Sequence, residues 1–418
     1  MGGESVKGRG IGLAVALAVL AGLLAWSGTA SAETLRVLLP IGGGYTEEDQ
    51  IAIAEAYMAA HPDVQVEMEF VGWDALWDRI ITSIATGNAP DVIYIASRWI
   101  PALADMGAII PLDPYIDEAK WALYYPAVWE SVEYQGQHWG IVRAMSTKAL
   151  LYNKTLLEAA GVELPMTSWE AILEAARRVH NPPEVYGFGL PANRFVSTVT
   201  EFQNWLYANG ARITNEEGVA TVDSPAAVEA MEFYFGALKA YAQPSPIEWR
   251  REDLIRLFKS GRLAMYTDHV FSVIEALEAG IDVGVQMVPA GPQGDRPFAT
   301  VVVTDSIAIP AQARHKDLAV EFAMFMTNFE NQATWDITLG FIPPMPAEAG
   351  LEAFNPWYWQ VFIEGLEYGI PQAASIQDWE GVQEALLTAT QKYFLGQADA
   401  ETALKEAAQT INILQGVQ

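Results

Sequence analysis

The chain has 418 residues, of which 51% are hydrophobic, and its 52 acidic against 24 basic residues give a net charge of −28. So acidic a protein is not expected to bind nucleic acid or an anionic membrane surface, because both would repel it. The absence of cysteine excludes disulfides, thiolate metal sites, cysteine nucleophiles and a lipid-modified cysteine.

Residues 1–32 are predicted to be a signal peptide. Lys7 and Arg9 precede a short apolar run, and the segment ends in the small-residue pattern Ala30-Ser31-Ala32. This arrangement is typical of a secretory signal that is cleaved after Ala32. A retained membrane anchor is the alternative, but the apolar run is short for a helix that spans a bilayer. The mature chain, expected to have no membrane anchor, is long enough for two domains.

Strand-like and helical segments alternate from residue 34 onward. TLRVLLP (34–40), VQVEMEFV (64–71) and PDVIYIAS (90–97) have the apolar or alternating character of strands. A helix pattern follows each of the first two, and Thr46 with the acidic residues after it is typical of a helix start. This βαβ order predicts an α/β fold with a mostly parallel sheet covered by helices on both faces.

A second series of elements begins near residue 148. The segments TSWEAILEAARRVHN, EFQNWLYANGARI, SPAAVEAMEFYFGALKAYA and REDLIRLFKSG are predicted helices, and LAMYTD and DVGVQMVPAGP are short strands. ATVVVTDSIAIP (299–310) is a strong strand, and most of the chain after it is helical. We therefore expect two α/β lobes, with the chain passing between them more than once.

The strand predicted at 92–96 ends abruptly in Ser97, Arg98 and Trp99. Open α/β sheets bind ligands outside the carboxyl ends of their strands, so this strand end is a candidate site. An ordinary turn with an exposed arginine is the alternative, because loops after strands are common and few are sites.

Motifs of several enzyme classes are missing. The sequence contains no GxSxG, GxxxxGK[ST] or HExxH pattern. Its five histidines are scattered without metal-ligand spacing, so we predict no metal site and no cofactor. Acidic residues are so numerous that a glycosidase-like pair would arise by chance. No catalytic residue is therefore assigned.

Aromatic side chains are plentiful, with 14 Trp and 16 Tyr. Several tryptophans lie beside predicted turns, where an indole can present a flat apolar face. Sugar rings combine apolar C–H faces with a belt of hydroxyl groups, so they bind to such a face when hydrogen-bonding side chains flank it.

Four segments together resemble one protein family. They are TGNAPDVIYIASRWIPALADMGAIIPLDPY, HWGIVRAMSTKALLYNKTLLEAAGVELPMTSWEAILEAARRV, LFKSGRLAMYTD and KDLAVEFAMFMTNFENQATWDITLGFIPPMPA. They are similar to the maltose-binding-protein-like group, the family 1 extracellular solute-binding proteins of ABC importers. The resemblance spans nearly all of the mature chain. It is highly specific for the family but weakly specific for the ligand, since members bind mono- and oligosaccharides, polyols and glycerol phosphates.

The resemblance implies a two-lobed periplasmic-binding-protein fold of type II-like character, in which a multi-strand hinge joins lobes that close on the ligand. It predicts an N-terminal lobe from 33–145 and a return segment, 301–344. The C-terminal lobe is predicted from 146–300, together with the helices and hinge packing of 345–418. RAMSTKALLYN and TVVVTDS are the expected hinge crossings.

The resemblance also implies ligand-binding residues in the cleft between the lobes. Maltose binders have a sugar-binding aspartate in the place of Arg98 and a hinge glutamate in the place of Ser146. They stack aromatic rings where this chain has Phe271 and Trp379. The full predicted set is Tyr45, Trp73, Asp74, Ser97, Arg98, Arg143, Ser146, Trp205, Asp268, Phe271, Thr304, Asp305 and Trp379.

We therefore expect a monomeric periplasmic receptor that binds a carbohydrate, does no chemistry and delivers its ligand to the permease of an ABC importer. Full secretion is the alternative location. Arg98 and Arg143 raise a second possibility, an anionic ligand such as glycerol 3-phosphate or a sugar acid, because a guanidinium pairs bidentately with carboxylate or phosphate. A secreted glycoside-cleaving enzyme is a third, remote possibility.

Overall fold

The computed structural model describes residues 1–2, 32–41, 46–373 and 376–417. The body of the predicted signal peptide and the candidate ligand residue Tyr45 lie outside the described residues. Of the helices that are described, none combines the length and the apolar character that a bilayer crossing requires.

The strands of the described residues form two main sheets and one hairpin. They are β1 (Glu33–Ile41), β2 (Val64–Gly72), β3 (Val92–Ala96), β4 (Glu133–Tyr134), β5 (Gln137–His138), β6 (Ile141–Ser146), β7 (Ala149–Asn153), β8 (Met265–Asp268), β9 (Val283–Gln286), β10 (Thr300–Ala308) and β11 (Gly369–Pro371). The larger sheet has the order β11-β10-β3-β1-β2, with β6 also paired to β10. The smaller sheet has the antiparallel order β8-β7-β9, and β4 pairs with β5.

Parallel pairing in the larger sheet follows from the βαβ order of the sequence. β1 pairs with β2 along its whole length, from Glu33 opposite Val64 to Ile41 opposite Gly72, and with β3 on its other side. All five residues of β3 are buried, as expected for a strand that helices cover on both faces. The predicted parallel sheet is confirmed, and β10 joins it in the antiparallel direction between β3 and β6.

Helices pack on both sheets. They are α1 (Glu47–Ala60), α2 (Trp73–Ala85), α3 (Ile100–Asp105), α4 (Glu118–Trp121), α5 (Pro126–Glu130), α6 (Lys154–Ala159), α7 (Trp169–Val179), α8 (Val196–Ala208), α9 (Pro225–Met231), α10 (Arg251–Lys259), α11 (Val270–Glu278), α12 (Lys316–Met326), α13 (Phe329–Leu339), α14 (Pro346–Ala349), α15 (Trp357–Gly365), α16 (Trp379–Phe394) and α17 (Ala400–Leu414). The predicted helix start at Thr46 is confirmed, because its hydroxyl accepts a hydrogen bond from the backbone N–H of Asp49.

One predicted helix, over SPAAVEAMEFYFGALKAYA, is wrong in its second half. α9 ends at Met231, and the chain continues as a π-helical turn, Glu232–Ala237, and a 3₁₀ turn, Leu238–Tyr241. Phe233 and Tyr234 lie in the wider turn, with ring centroids 5.5 and 5.4 Å from that of Trp205. These large rings pack at the point where the chain departs from a regular α-helix. The periodicity of the sequence does not distinguish this wider turn from an α-helix.

Three chain segments run side by side where the two sheets meet. Thr147 and Lys148 connect β6 of the larger sheet directly to β7 of the smaller one. The Lys148 backbone N–H donates to the Thr300 hydroxyl at the start of β10, at 2.8 Å. The backbone N–H of Gln372, just after β11, donates to the Val302 carbonyl at 3.0 Å. This is a multi-strand hinge of the kind that the family resemblance implies, with a third segment at Gln372 beyond the two expected crossings. We call the half with the larger sheet the first lobe and the other half the second lobe.

Candidate ligand-binding site between the lobes

A cavity of about 290 Å³ opens between the lobes beside the hinge, and we call it the interlobe cavity. Its lining residues come from strand ends, helix starts and hinge segments. They are Ile41, Gly72, Trp73, Asp74, Arg98, Ser146, Lys148, Phe195, Val196, Ser197, Thr200, Arg250, Arg251, Glu252, His269, Val303, Asp305, Phe341 and Gln372. Five predicted site residues are among them, namely Trp73, Asp74, Arg98, Ser146 and Asp305.

The first-lobe wall presents an indole. Trp73 is the first residue of α2, directly after β2 ends at Gly72. Its ring packs edge-on against Tyr94, with centroids 6.0 Å apart, and parallel to Trp99 at 6.0 Å and 21°. Aromatic neighbours thus hold Trp73 in place while it borders the cavity.

The polar end of β3 lies where the larger sheet meets the cavity. Ser97–Trp99 form a short 3₁₀ turn, and Arg98 is only 8% exposed. One terminal nitrogen of Arg98 lies 3.9 Å from a carboxylate oxygen of Asp305, and the Ser97 hydroxyl hydrogen-bonds that of Ser306 at 2.7 Å. The alternative of an exposed turn arginine is wrong, because Arg98 is buried and paired with an acid.

The hinge strand β10 separates two cavities. Val303 and Asp305 line the interlobe cavity, whereas Val302 and Thr304 line a second cavity of about 370 Å³. Successive side chains of a strand point to opposite faces, so the second cavity lies on the other side of the hinge. The predicted residues Ser97 and Thr304 therefore face the second cavity, while Arg98 borders both.

Charged side chains, most of them buried, form or adjoin the second-lobe lining of the cavity. Arg251 approaches three carboxylates, at 2.9 Å from Glu252, 3.2 Å from Asp268 and 3.8 Å from Glu201. The Lys148 ammonium lies 3.9 Å from Glu201. Burial lowers the pKa of Lys148 to about 8 and raises the pKa of Glu201 to about 7. The wall is therefore dense in charge but internally compensated.

Four residues of the cavity lining carry buried polar atoms that have no hydrogen-bond partner among the described residues. The atoms are Ser197 Oγ, Glu252 Oε2, His269 Nδ1 and Gln372 Oε1. An unpaired buried polar atom costs about 1–3 kcal/mol, so native proteins rarely keep one without a reason. All four atoms are shielded from solvent in this structure, although the side chains that carry them border the interlobe cavity.

Helix starts position three of these four residues. Ser197 and Glu252 are each the second residue of a helix, α8 and α10, and His269 immediately precedes α11. Burial, with the nearby Lys148 and Arg251, holds the pKa of His269 well below its usual range, so its ring is neutral. Sequence reasoning missed all four; a signal for His269 was its place directly after the predicted strand LAMYTD.

Three predicted residues are buried away from the interlobe cavity. Arg143 donates to the Met326 carbonyl at 2.6 Å and stacks its guanidinium over Trp335 at 4.1 Å. Trp205 is fully buried among second-lobe rings, and Trp379 is 1% exposed. These side chains belong to the packed interior of their lobes.

Two further predicted residues, Asp268 and Phe271, line a recess of about 240 Å³ beside the interlobe cavity. The two spaces share Arg251, Glu252 and His269. Asp268 is 1% exposed, because Arg251 and the Ser272 hydroxyl, at 2.6 Å, cover its carboxylate. In the described part of the chain, no cluster of three or more His, Asp or Glu side chains is arranged to hold a metal ion.

Comparisons with known proteins agree with this architecture. The family model of bacterial extracellular solute-binding proteins matches residues 43–333. A putative binding protein of Brucella abortus is 28% identical over 400 residues, which cover 93% of this chain and 96% of that protein. The maltotriose-binding protein of Pyrococcus abyssi is 28% identical over 300 residues, which cover 70% of this chain and 62% of that protein.

A solved structure shows the same fold. An ABC transporter solute-binding protein of Thermotoga lettingae, bound with α-D-tagatose, matches with a TM-score of 0.83 and 24% identity. The match covers 92% of this chain and 100% of that one, which confirms the predicted two-lobed fold. Because the family model matches more than half of its residues, the chain belongs to the family of bacterial extracellular solute-binding proteins.

Proposed function

We propose that this protein is the periplasmic receptor of an ABC importer, and that it binds a neutral carbohydrate in the interlobe cavity and passes it unchanged to the permease. The names of relatives support a sugar: one is a maltotriose-binding protein, and one solved structure holds α-D-tagatose. In this proposal the protein acts as a monomer, and export follows cleavage after Ala32.

The buried polar atoms without hydrogen-bond partners, on side chains that border the cavity, are the observation that favours a neutral sugar as the ligand. Glu252 Oε2 and Gln372 Oε1 can only accept hydrogen bonds, whereas Ser197 Oγ and Nδ1 of the neutral His269 ring can each accept or donate. A ligand that reaches these side chains must therefore supply donors to pair with the first two atoms. Sugar hydroxyls do so, whereas an ionised phosphate or carboxylate offers acceptors almost exclusively.

Pairing of the cavity's cations argues against the anionic alternative. Arg98 is paired with Asp305 and Lys148 with Glu201, while Arg251 approaches three carboxylates. Arg250 is exposed at the rim, with its guanidinium over the Phe195 ring at 4.2 Å. An anion would have to compete with these carboxylates for every buried cation.

The proposal extends to the lobe boundaries and the ligand contacts. We infer an N-terminal lobe of 33–145 and 301–344, with 146–300 and 345–418 forming the C-terminal lobe. The sugar face stacks on Trp73, and its hydroxyls bond the polar side chains around it. The proposed contacts are Asp74, Arg98, Ser146, Ser197, Glu252, His269, Asp305 and Gln372.

Calorimetry and thermal shift over a ligand panel test the function. We expect a neutral mono- or oligosaccharide to bind and to raise the unfolding temperature, because a ligand at a thousandfold excess over its Kd adds about 4 kcal/mol to the free energy of unfolding. Glycerol 3-phosphate and sugar acids should give no shift. Binding of only the anionic compounds would contradict the neutral-sugar proposal, and release of products from an oligosaccharide would contradict a role without chemistry.

Replacing Trp73 by alanine tests the stacking face. We expect Trp73→Ala to weaken sugar binding by roughly 1–3 kcal/mol, the range for loss of a large aromatic contact. Trp357→Ala is the control, because Trp357 is 47% exposed and does not line the cavity. Titration calorimetry of both variants would refute the stacking role if Trp357→Ala weakened binding as much as Trp73→Ala.

A further inference from the structure

A hydrogen bond connects the aromatic cluster of the first lobe, Trp73, Trp77 and Trp99, to a helix of the second lobe. The indole N–H of Trp99 donates to a carboxylate oxygen of Glu380 at 2.6 Å. Trp99 follows β3 of the larger sheet, and Glu380 is the second residue of α16. Neither residue lines the interlobe cavity, so the bond lies outside the proposed ligand contacts.

Each partner is anchored firmly in its own lobe. The Trp99 ring lies between Trp73 and Trp77, with centroids 6.0 and 5.2 Å away, and is 4% exposed. At the other side, α16 is tied to the second lobe at two points. The Gln391 amide donates to the Ala192 carbonyl at 2.5 Å, and the Lys239 ammonium donates to the Phe394 carbonyl at 3.0 Å.

The chemistry of the bond favours a strong contact. An indole offers one donor and no acceptor, so the direction of the bond is fixed. A carboxylate acceptor makes hydrogen bonds that are shorter and roughly twice as strong as those between neutral groups. Glu380 is also in the first turn of α16, where the helix dipole stabilises its negative charge.

The bond joins side chains of different lobes, so a lobe movement that parts Trp99 from Glu380 breaks it. We propose that Trp99–Glu380 is an interlobe latch that favours the lobe arrangement seen here, in which both lobes line the interlobe cavity and which we call closed, and that it thereby sets ligand affinity without touching the ligand. The predicted effect of the latch on ligand affinity rests on the proposed function. Its effect on closure does not require any ligand, since the bond consists of protein groups alone.

The latch affects ligand binding through the fraction of protein molecules that are in the closed arrangement. A ligand that needs the closed form binds with an apparent affinity reduced by the fraction of molecules that are closed. Loss of the latch lowers that fraction. It also removes a contact that must break before the ligand leaves, so the dissociation rate should rise more than the association rate falls.

The test compares Glu380→Ala, Glu380→Gln, Trp99→Phe and the double variant Trp99→Phe/Glu380→Ala. We expect Glu380→Ala and Trp99→Phe each to weaken binding of the best sugar by about tenfold, mostly through faster dissociation, with Glu380→Gln in between because it keeps a neutral acceptor. The double variant should bind no more weakly than either single one. Additive losses would overturn the latch, since they would show that the two residues act independently.

Glu384→Ala is the matched control. Glu384 lies one turn further along α16 and pairs with Arg194 of the same lobe. This variant should keep the wild-type dissociation rate, and a loss equal to that of Glu380→Ala would refute the proposal.

Small-angle scattering of the ligand-free proteins separates the latch from the sugar proposal. We expect Glu380→Ala to have a larger radius of gyration than the wild type and Glu384→Ala to match the wild type. If no sugar binds the wild type, the proposed function fails. The scattering comparison of the ligand-free proteins still tests whether the latch favours the closed arrangement. Identical radii for Glu380→Ala and the wild type would overturn it.

Discussion

Replacing Arg251 by methionine is expected to lower the free energy of unfolding by about 3–5 kcal/mol, the usual effect of removing one partner from a buried ion cluster. The Arg251 side chain is 16% exposed and lies between Glu201 and Asp268, whose carboxylates are almost fully buried. Methionine fills much of the same volume, so the loss reports mainly on the two carboxylates left without their closest cation. Urea unfolding followed by tryptophan fluorescence measures it.

The pH dependence of this loss identifies its cause. Burial raises the pKa of Glu201 to about 7, and loss of the nearby Arg251 charge should raise it further. A carboxyl group whose pKa is higher in the folded than in the unfolded state makes the folded protein less stable as pH rises toward the folded-state pKa. The defect of Arg251→Met should therefore be smaller at pH 5.5 than at pH 8.

Arg256→Met is the control for Arg251→Met. Arg256 lies on the same helix with a side chain that is 70% exposed, so its removal should change stability by less than about 1 kcal/mol. An Arg251→Met defect of that small size, or one independent of pH, would contradict the buried-cluster interpretation.

Trp379→Ala is expected to destabilise the protein by about 3–5 kcal/mol, because removal of a buried tryptophan leaves a cavity in the core. Trp379 is 1% exposed at the start of α16, and its indole N–H donates to Gln383 at 3.3 Å. The family resemblance implies instead that this ring stacks on the sugar. The two views predict opposite results when stability and affinity are measured on the same variant.

Denaturant unfolding and calorimetry together decide the role of Trp379. We expect a large fall in the unfolding midpoint and, at a temperature where the variant is folded, a change in affinity of less than about threefold. Trp357→Ala is the control, since Trp357 is 47% exposed and its loss should leave the midpoint nearly unchanged. Weak binding by a variant with wild-type stability would restore the stacking role.

The sequence by itself determined the fold and the general position of the site. The βαβ order restricts the topology to a parallel sheet with few alternatives, and the carboxyl ends of its strands meet along one edge. That is why the end of β3 at Arg98 could be predicted as a candidate site from the strand order alone, whereas the place of Trp73 in the cleft was implied by the family resemblance. The strand-end inference did not need the position of any distant side chain.

Only the tertiary structure decided which polar and aromatic side chains face the cavity. Trp73 and Trp379 both begin helices, yet one borders the cavity and the other is core, because exposure depends on what packs from distant parts of the chain. Arg98 and Arg143 are both buried, and their partners lie far along the chain, at Asp305 and Met326. Helical and strand periodicity describe one element at a time, whereas pairing and burial are properties of elements in contact.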